Sequence, residues 1–291
     1  MPHTAAAHRR GLVIMLVAVL LWSTGGILVR LTSVANGWEI VFWRSLFMTL
    51  FVAATLGWMH RAALPGQVLA VGRIGLASSL VLAGTFFFFI LSITRTTVAN
   101  TLVIMSMSPF LAAIAGWWFL HEKPPRRTWI AMAVAFGGIC LMFAESLELG
   151  RLLGNLLALG VSVCFAINVT LLRRADRNVS MLPTVLLAGL WSAGLAVVFA
   201  WPLQASAQDI GVLAIMGCFQ LGAGCLLMTR AAKDLSASEL GLLSLLEPIL
   251  GPVWVWLGVG ERPSDLALTG GAVVIGALVV NEAAGMWQRR G

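Results

Sequence analysis

The sequence predicts an all-α membrane protein with ten transmembrane helices arranged as two inverted five-helix repeats. Three observations carry that prediction. Of 291 residues, 59% are apolar and 11% charged, and mean hydropathy is positive, a composition suited to hydrocarbon rather than water. Apolar runs of about 20 residues, enough to cross roughly 30 Å of hydrocarbon as a helix, recur ten times between short polar breaks. Residues 94–142 and 233–281 align without a gap at a constant offset of 139, pairing Pro109 with Pro248, Leu111 with Leu250, Trp117 with Trp256, Glu122 with Glu261, Pro124 with Pro263 and Gly137 with Gly276. Because each half holds an odd number of spans, the second half enters the bilayer from the opposite side. Residues 1–148 and 149–291 then form an inverted pair with a site near the midplane.

The first span, near 11–30, follows Arg9 and Arg10 but lacks the small-residue cleavage pattern of a signal peptide and is read as retained. The second, near 38–58, carries Arg44 about 9 Å from its predicted outer end, close enough for the side chain to snorkel upward beside Trp43. Four consecutive phenylalanines, Phe86 to Phe89, mark the third (72–93), and Pro109 lies inside the fourth (96–119). The fifth (128–144) is among the shortest, and the sixth (152–172) opens the second repeat. The seventh (182–201) and eighth (210–229) follow, the latter with Gln220, Gly222 and Gly224. The ninth (239–259) contains Glu247, Pro248 and Pro252, and the tenth (266–284) closes the chain. Glu122-Lys123-Pro124 and Glu261-Arg262-Pro263 end the fourth and ninth spans and are read as turn-forming, loop-anchoring units.

The net charge of +7 invites a nucleic-acid reading, but the basic residues are spread over five loops and tails with no aromatic stacking platform between them. Fourteen of the nineteen Lys and Arg fall on one side of the predicted topology, which puts both termini in the cytoplasm. The four histidines, His3, His8, His60 and His121, avoid the spans, and no metal-ligand spacing or phosphate-cradling loop occurs, so no catalytic residue, metal or cofactor is expected. All four cysteines lie within spans and read as small apolar residues without a disulfide framework.

Polar and aromatic residues at bilayer depth are the candidate substrate contacts. Trp22 and Ser23 lie midway down the first span, and an offset of 143 sets Trp22 against Phe165 and Arg30 against Arg173. Asn168 adds an amide and Phe86 an aromatic surface, while Thr101, Met105, Ser108, Ser244 and Glu247 recur at helical spacing around the prolines. Gln220 and Met228 complete the set from the eighth span. Glu247 either binds a substrate ammonium group or coupling proton, or makes a structural hydrogen bond or a pair with Arg44. Pro109, Pro248 and Pro252 bend or unwind their helices, and Gly222 and Gly224 serve close packing or a hinge. Among the deep tryptophans, Trp22, Trp191 and Trp254 are candidate ligand contacts.

Two five-span halves, each closing with a proline-containing helix, a Glu-Lys-Pro or Glu-Arg-Pro turn and a Gly-containing last helix, resemble the drug/metabolite transporter superfamily and within it the EamA-type exporters. The chain is similar there to bacterial exporters of amino acids, including the branch for aromatic amino acids. The resemblance implies a central cavity between spans 1, 3, 4, 6, 8 and 9 that opens alternately to either side of a bacterial inner membrane. The expected function is secondary export of small amphipathic metabolites, foremost aromatic or apolar amino acids, with lipid and a small molecule as partners and a monomer as the working unit. The rival readings are export of lipophilic cations and, from another class, a receptor or scaffold that does not translocate.

Overall fold

A computed structural model describes residues 5–34, 36–96, 98–144, 152–176, 179–260 and 264–288. Among these the chain is helical, and eight helical stretches are long and apolar enough to cross a membrane. The first is α1 (Ala5–Ser23) continued by α2 (Gly25–Arg30), and the second is α3 (Gly37–His60). A short α4 (Leu64–Ala70) leads to α5 (Gly72–Ile93). The next stretch is divided into α6 (Val98–Met105) and α7 (Ser108–Leu120), and α8 (Arg126–Met142) is a shorter helix of 17 residues. The second half runs through α9 (Leu152–Arg174), α10 (Pro183–Ala200), α11 (Ala207–Ile215) and α12 (Gly224–Ala231), the last two joined by a π-helical segment, Met216–Ala223. It ends with α13 (Ala237–Ser244), α14 (Leu246–Val259) and α15 (Asp265–Gln288), whose shorter apolar part is Asp265–Asn281.

The helix ends follow local chemistry. Ser206 with Asp209, and Ser236 with Glu239, form reciprocal capping boxes that satisfy the first amides of α11 and α13. Asn36 accepts the Trp38 amide at the start of α3. The prolines set the breaks. Pro109 cannot donate to the Met105 carbonyl, nor Pro248 to that of Ser244, and the chain tightens to three-residue bonding at Met107 and at Leu245. After α7 and α14 the backbone turns left-handed at His121 (φ 56°) and Gly260 (φ 79°). These breaks and terminators sit at matching positions in the two halves.

Packing has the same character. α5 lies against α9, and the counterpart contact joins α12 and the π segment to α1. α7 on α9 is matched by α14 on α1, and α10 on α5 by the π segment on α3. The pairs α3 with α10 and α8 with α15 are each their own counterparts, whereas α7 packs on α13 without a comparable contact between their counterparts α14 and α6. Close approach depends on small residues. A Cβ at Gly241 would lie 2.7 Å from the Pro109 Cα, where α13 crosses α7, and one at Gly138 would meet the Gly270 carbonyl oxygen at 2.9 Å, where α8 meets α15.

Candidate functional site

At the centre of the bundle lies a cavity of about 890 Å³, part of it open to the outside of the protein. Seven membrane stretches line it: those of α1, α3, α5, α6–α7, α9, the π segment with α12, and α13–α14. α8, α10 and α15 contribute nothing to the wall. Of the twelve residues the sequence singles out as substrate contacts, Trp22, Phe86, Met105, Ser108, Phe165, Asn168, Gln220, Met228, Ser244 and Glu247 all face this space, as does Pro248.

The proline breaks shape two of the walls. Met105 and Ser108 flank the first break, and the Met105 carbonyl left open by Pro109 accepts the hydroxyls of Ser108 and, at 3.4 Å, of Ser162 from α9. Ser244 and Glu247 flank the second, with Ser244 Oγ donating to the Gly241 carbonyl at 2.6 Å. Pro252 is inside α14 and does not reach the cavity. Gly222 belongs to the π segment and Gly224 opens α12, where any Cβ would collide with the Trp22 indole nitrogen. Gln220 donates to the Trp22 carbonyl at 3.2 Å, and Asn168 Oδ1 accepts from Ser78 Oγ at 2.7 Å. Among the described residues, the amide nitrogen of Asn168 and the amide oxygen of Gln220 are buried without a hydrogen-bond partner.

Several expectations are corrected. Ser23 is 3% exposed and off the cavity, because its hydroxyl donates to the Leu20 carbonyl at 2.8 Å and accepts from the Trp254 indole at 2.7 Å. That bond also removes Trp254 from the set of ligand contacts. Thr101 is fully buried against Ser92 at 2.8 Å, and Trp191 lies on the outer surface of the bundle with its indole on Ser79. Arg44 does not snorkel. It is 2% exposed and points inward to the cavity, its guanidinium carbon 5.9 Å from the Phe89 ring centroid, because α3 turns that face toward the π segment. Gly217 lets the segment approach so closely that a Cβ there would collide with the Arg44 carbonyl oxygen. The sequence held one signal for this role: Arg44 and Glu247 are the two charges at bilayer depth, and a pair between them is one of the readings the sequence offers.

A polar network ties the halves together at one end of the bundle. The Glu122 carboxylate accepts from Arg173 Nη2 at 2.6 Å and Nε at 3.0 Å on one oxygen, and from the Ala237 amide at 3.1 Å on the other. His8 meets Glu239 at 2.9 Å, and Arg10 and Arg230 both reach Asp234. A second cavity of about 840 Å³ opens among these groups. Lys233, in the loop before α13, donates to the Val179 carbonyl at 3.1 Å, and its pKa is lowered by burial and by the neighbouring Arg230 charge. The turn expected at Glu261-Arg262-Pro263 lies outside the described residues. Among the described residues no group of three His, Cys, Asp or Glu is placed to hold a metal ion.

A model of the EamA-like transporter family matches the chain twice, over residues 9–144 and 152–282. The chain belongs to the EamA-like transporter family. Its membership makes it a multi-pass membrane transporter of the drug/metabolite type with a small-molecule substrate. This EamA protein is 25% identical over 259 residues to the pseudopaline exporter CntI of Pseudomonas aeruginosa, covering 83% of this chain and 84% of the relative. It is 22% identical to protein RarD of Escherichia coli K12 (89% of each chain), and 25% identical to the uncharacterized transporter YwfM of Bacillus subtilis 168 (67% of this chain, 68% of the relative). A solved crystal structure superposes with a TM-score of 0.80 at 16% identity, covering 93% of this chain and 96% of the other, and so shares the fold.

Proposed function

We propose that this EamA transporter is a secondary exporter of the bacterial inner membrane that moves amphipathic amino acids, foremost aromatic and apolar ones, by alternating access. The observation that carries the reading is the central cavity, where Trp22, Phe86 and Phe165 supply ring surface, Met105 and Met228 supply soft apolar surface, and polar groups emerge at the two proline breaks. Ten spans as inverted repeats, 1–148 and 149–291, account for the matched helix breaks and for the helix contacts, α5 on α9, α7 on α9, α10 on α5, α3 on α10 and α8 on α15, that recur when the halves are exchanged. Both termini are cytoplasmic in this topology, and the Glu122–Arg173 end closes the cytoplasmic side. The cavity forms within one chain, so a monomer suffices. A secondary mechanism accords with a sequence that holds no phosphate-binding loop.

Export accords with the naming of CntI as an exporter. A carrier for lone lipophilic cations is disfavoured by Arg44, whose positive charge shares the cavity with Glu247. The test is flux from proteoliposomes across a broad amino-acid panel, with rates no higher than those of empty vesicles rejecting the substrate class. Sidedness is checked with cysteines introduced at Lys123 and Ser264. The topology requires that an impermeant reagent reach them from opposite faces, and labelling from one face rejects it.

A further inference from the structure

Arg44 is a buried cation on the wall of the central cavity. Among the described residues its Nε is buried without a partner and no hydrogen bond or ion pair reaches its guanidinium, which lies 5.9 Å from the Phe89 ring centroid with Cys225 also nearby. An isolated charge held 98% out of solvent is costly unless an anion meets it. On the wall of the same cavity, Glu247 in the first turn of α14 likewise has no hydrogen-bond partner among the described residues. The two charges feel one another, yet no ion pair joins them. The protein thus holds a positive fork and a carboxylate apart on the wall of one cavity that Trp22, Phe86, Phe89 and Phe165 also line.

We propose, building on the amino-acid export reading above, that the cavity recognises a zwitterion at both poles: the Arg44 guanidinium takes the substrate carboxylate and the Glu247 carboxylate takes its ammonium group. Arg suits this role because its planar fork matches a carboxylate bidentately, which a lysine does not. One molecule bearing both charges on a single carbon bridges the gap and neutralises both buried groups together. An ammonium alone leaves Arg44 unpaired, and a carboxylate alone leaves Glu247 unpaired. The side chain of the substrate then lies against Trp22, Phe86 and Phe165. Gly217 lets the π segment approach the α3 backbone closely at Arg44.

The test uses the full chain in lipid nanodiscs and three ligands: phenylalanine, phenethylamine (ammonium only) and N-acetylphenylalanine (carboxylate only). Wild-type protein is expected to bind phenylalanine roughly 10- to 100-fold more tightly than either analogue, the range for one lost charge-assisted hydrogen-bonding group. Arg44→Gln brings phenylalanine down to the level of phenethylamine while leaving phenethylamine no weaker. Glu247→Gln brings it down to the level of N-acetylphenylalanine while leaving that ligand no weaker. A merely structural role weakens all three ligands alike, and that result overturns the proposal. Equal competition by the three ligands on wild-type protein also overturns it, without needing a folded variant, and leaves the amino-acid exporter reading standing. Binding of none of them by monodisperse wild-type protein removes both.

Discussion

Glu122 is the point at which one carboxylate holds three elements: the loop after α7, the end of α9 and the start of α13. Glu122→Gln keeps the shape but replaces one acceptor oxygen by a donor nitrogen, so either Arg173 or the Ala237 amide faces donor against donor. The side chains of Arg173 and Glu122 are 14% and 21% exposed, buried enough that water compensates little. Charge-assisted bonds of this kind contribute about 1.5–3 kcal/mol each and are not additive, so a loss of about 2 kcal/mol is expected. Arg173→Gln is expected to cost a similar amount, because it also loses the bond from Nη1 to the Ala232 carbonyl. The double variant should fall short of the sum by about 1–2 kcal/mol, the coupling energy of a shared interaction. Reversible unfolding in mixed micelles by SDS titration measures this cycle. Independent effects, adding to within about 0.5 kcal/mol, would show that the pair does not act as a unit. A functional readout accompanies it. If this end is the cytoplasmic closure, 2 kcal/mol moves the open-to-closed ratio about thirtyfold, so a cysteine at Ser244 becomes more reactive to a cytoplasmic reagent in the Glu122→Gln background. Unchanged reactivity refutes the closure.

Other expectations follow from single contacts. Glu247→Gln should remove the pH dependence of flux if that carboxylate carries a coupling proton, and an unaltered pH profile in proteoliposomes denies it that role. Gly217→Val drives side-chain atoms into the α3 backbone beside Arg44 and Met48, and should destabilise by about 1–3 kcal/mol and depress flux; wild-type flux would mean that the helices separate without consequence. Ser206→Ala loses the cap of α11 and should cost about 1 kcal/mol with flux kept, checked by the same unfolding titration.

Most of the cavity wall was legible because a membrane makes polar residues conspicuous. Asn168, Gln220, Ser108 and Glu247 stand out from apolar runs, and the prolines beside two of them announce broken helices. Ser23 and Thr101 stand out equally, and their hydroxyls are consumed by Trp254 and Ser92. Nothing in linear spacing separates a hydroxyl that faces a cavity from one that faces a neighbouring helix. The π segment around Gly217 was equally invisible, since a helix widened by one residue per turn leaves hydropathy unchanged.

By itself the chain determined its solvent and its repetition. Hydrocarbon admits few charges and demands helices whose backbones bond internally, so composition and period reveal them, and a duplicated segment preserves its prolines and glycines in register. Tertiary structure alone decided which face of each helix turns inward. That choice rests on the close approach of backbones at glycines such as Gly217, and it carried Arg44 from an expected place at the membrane surface to the middle of the protein.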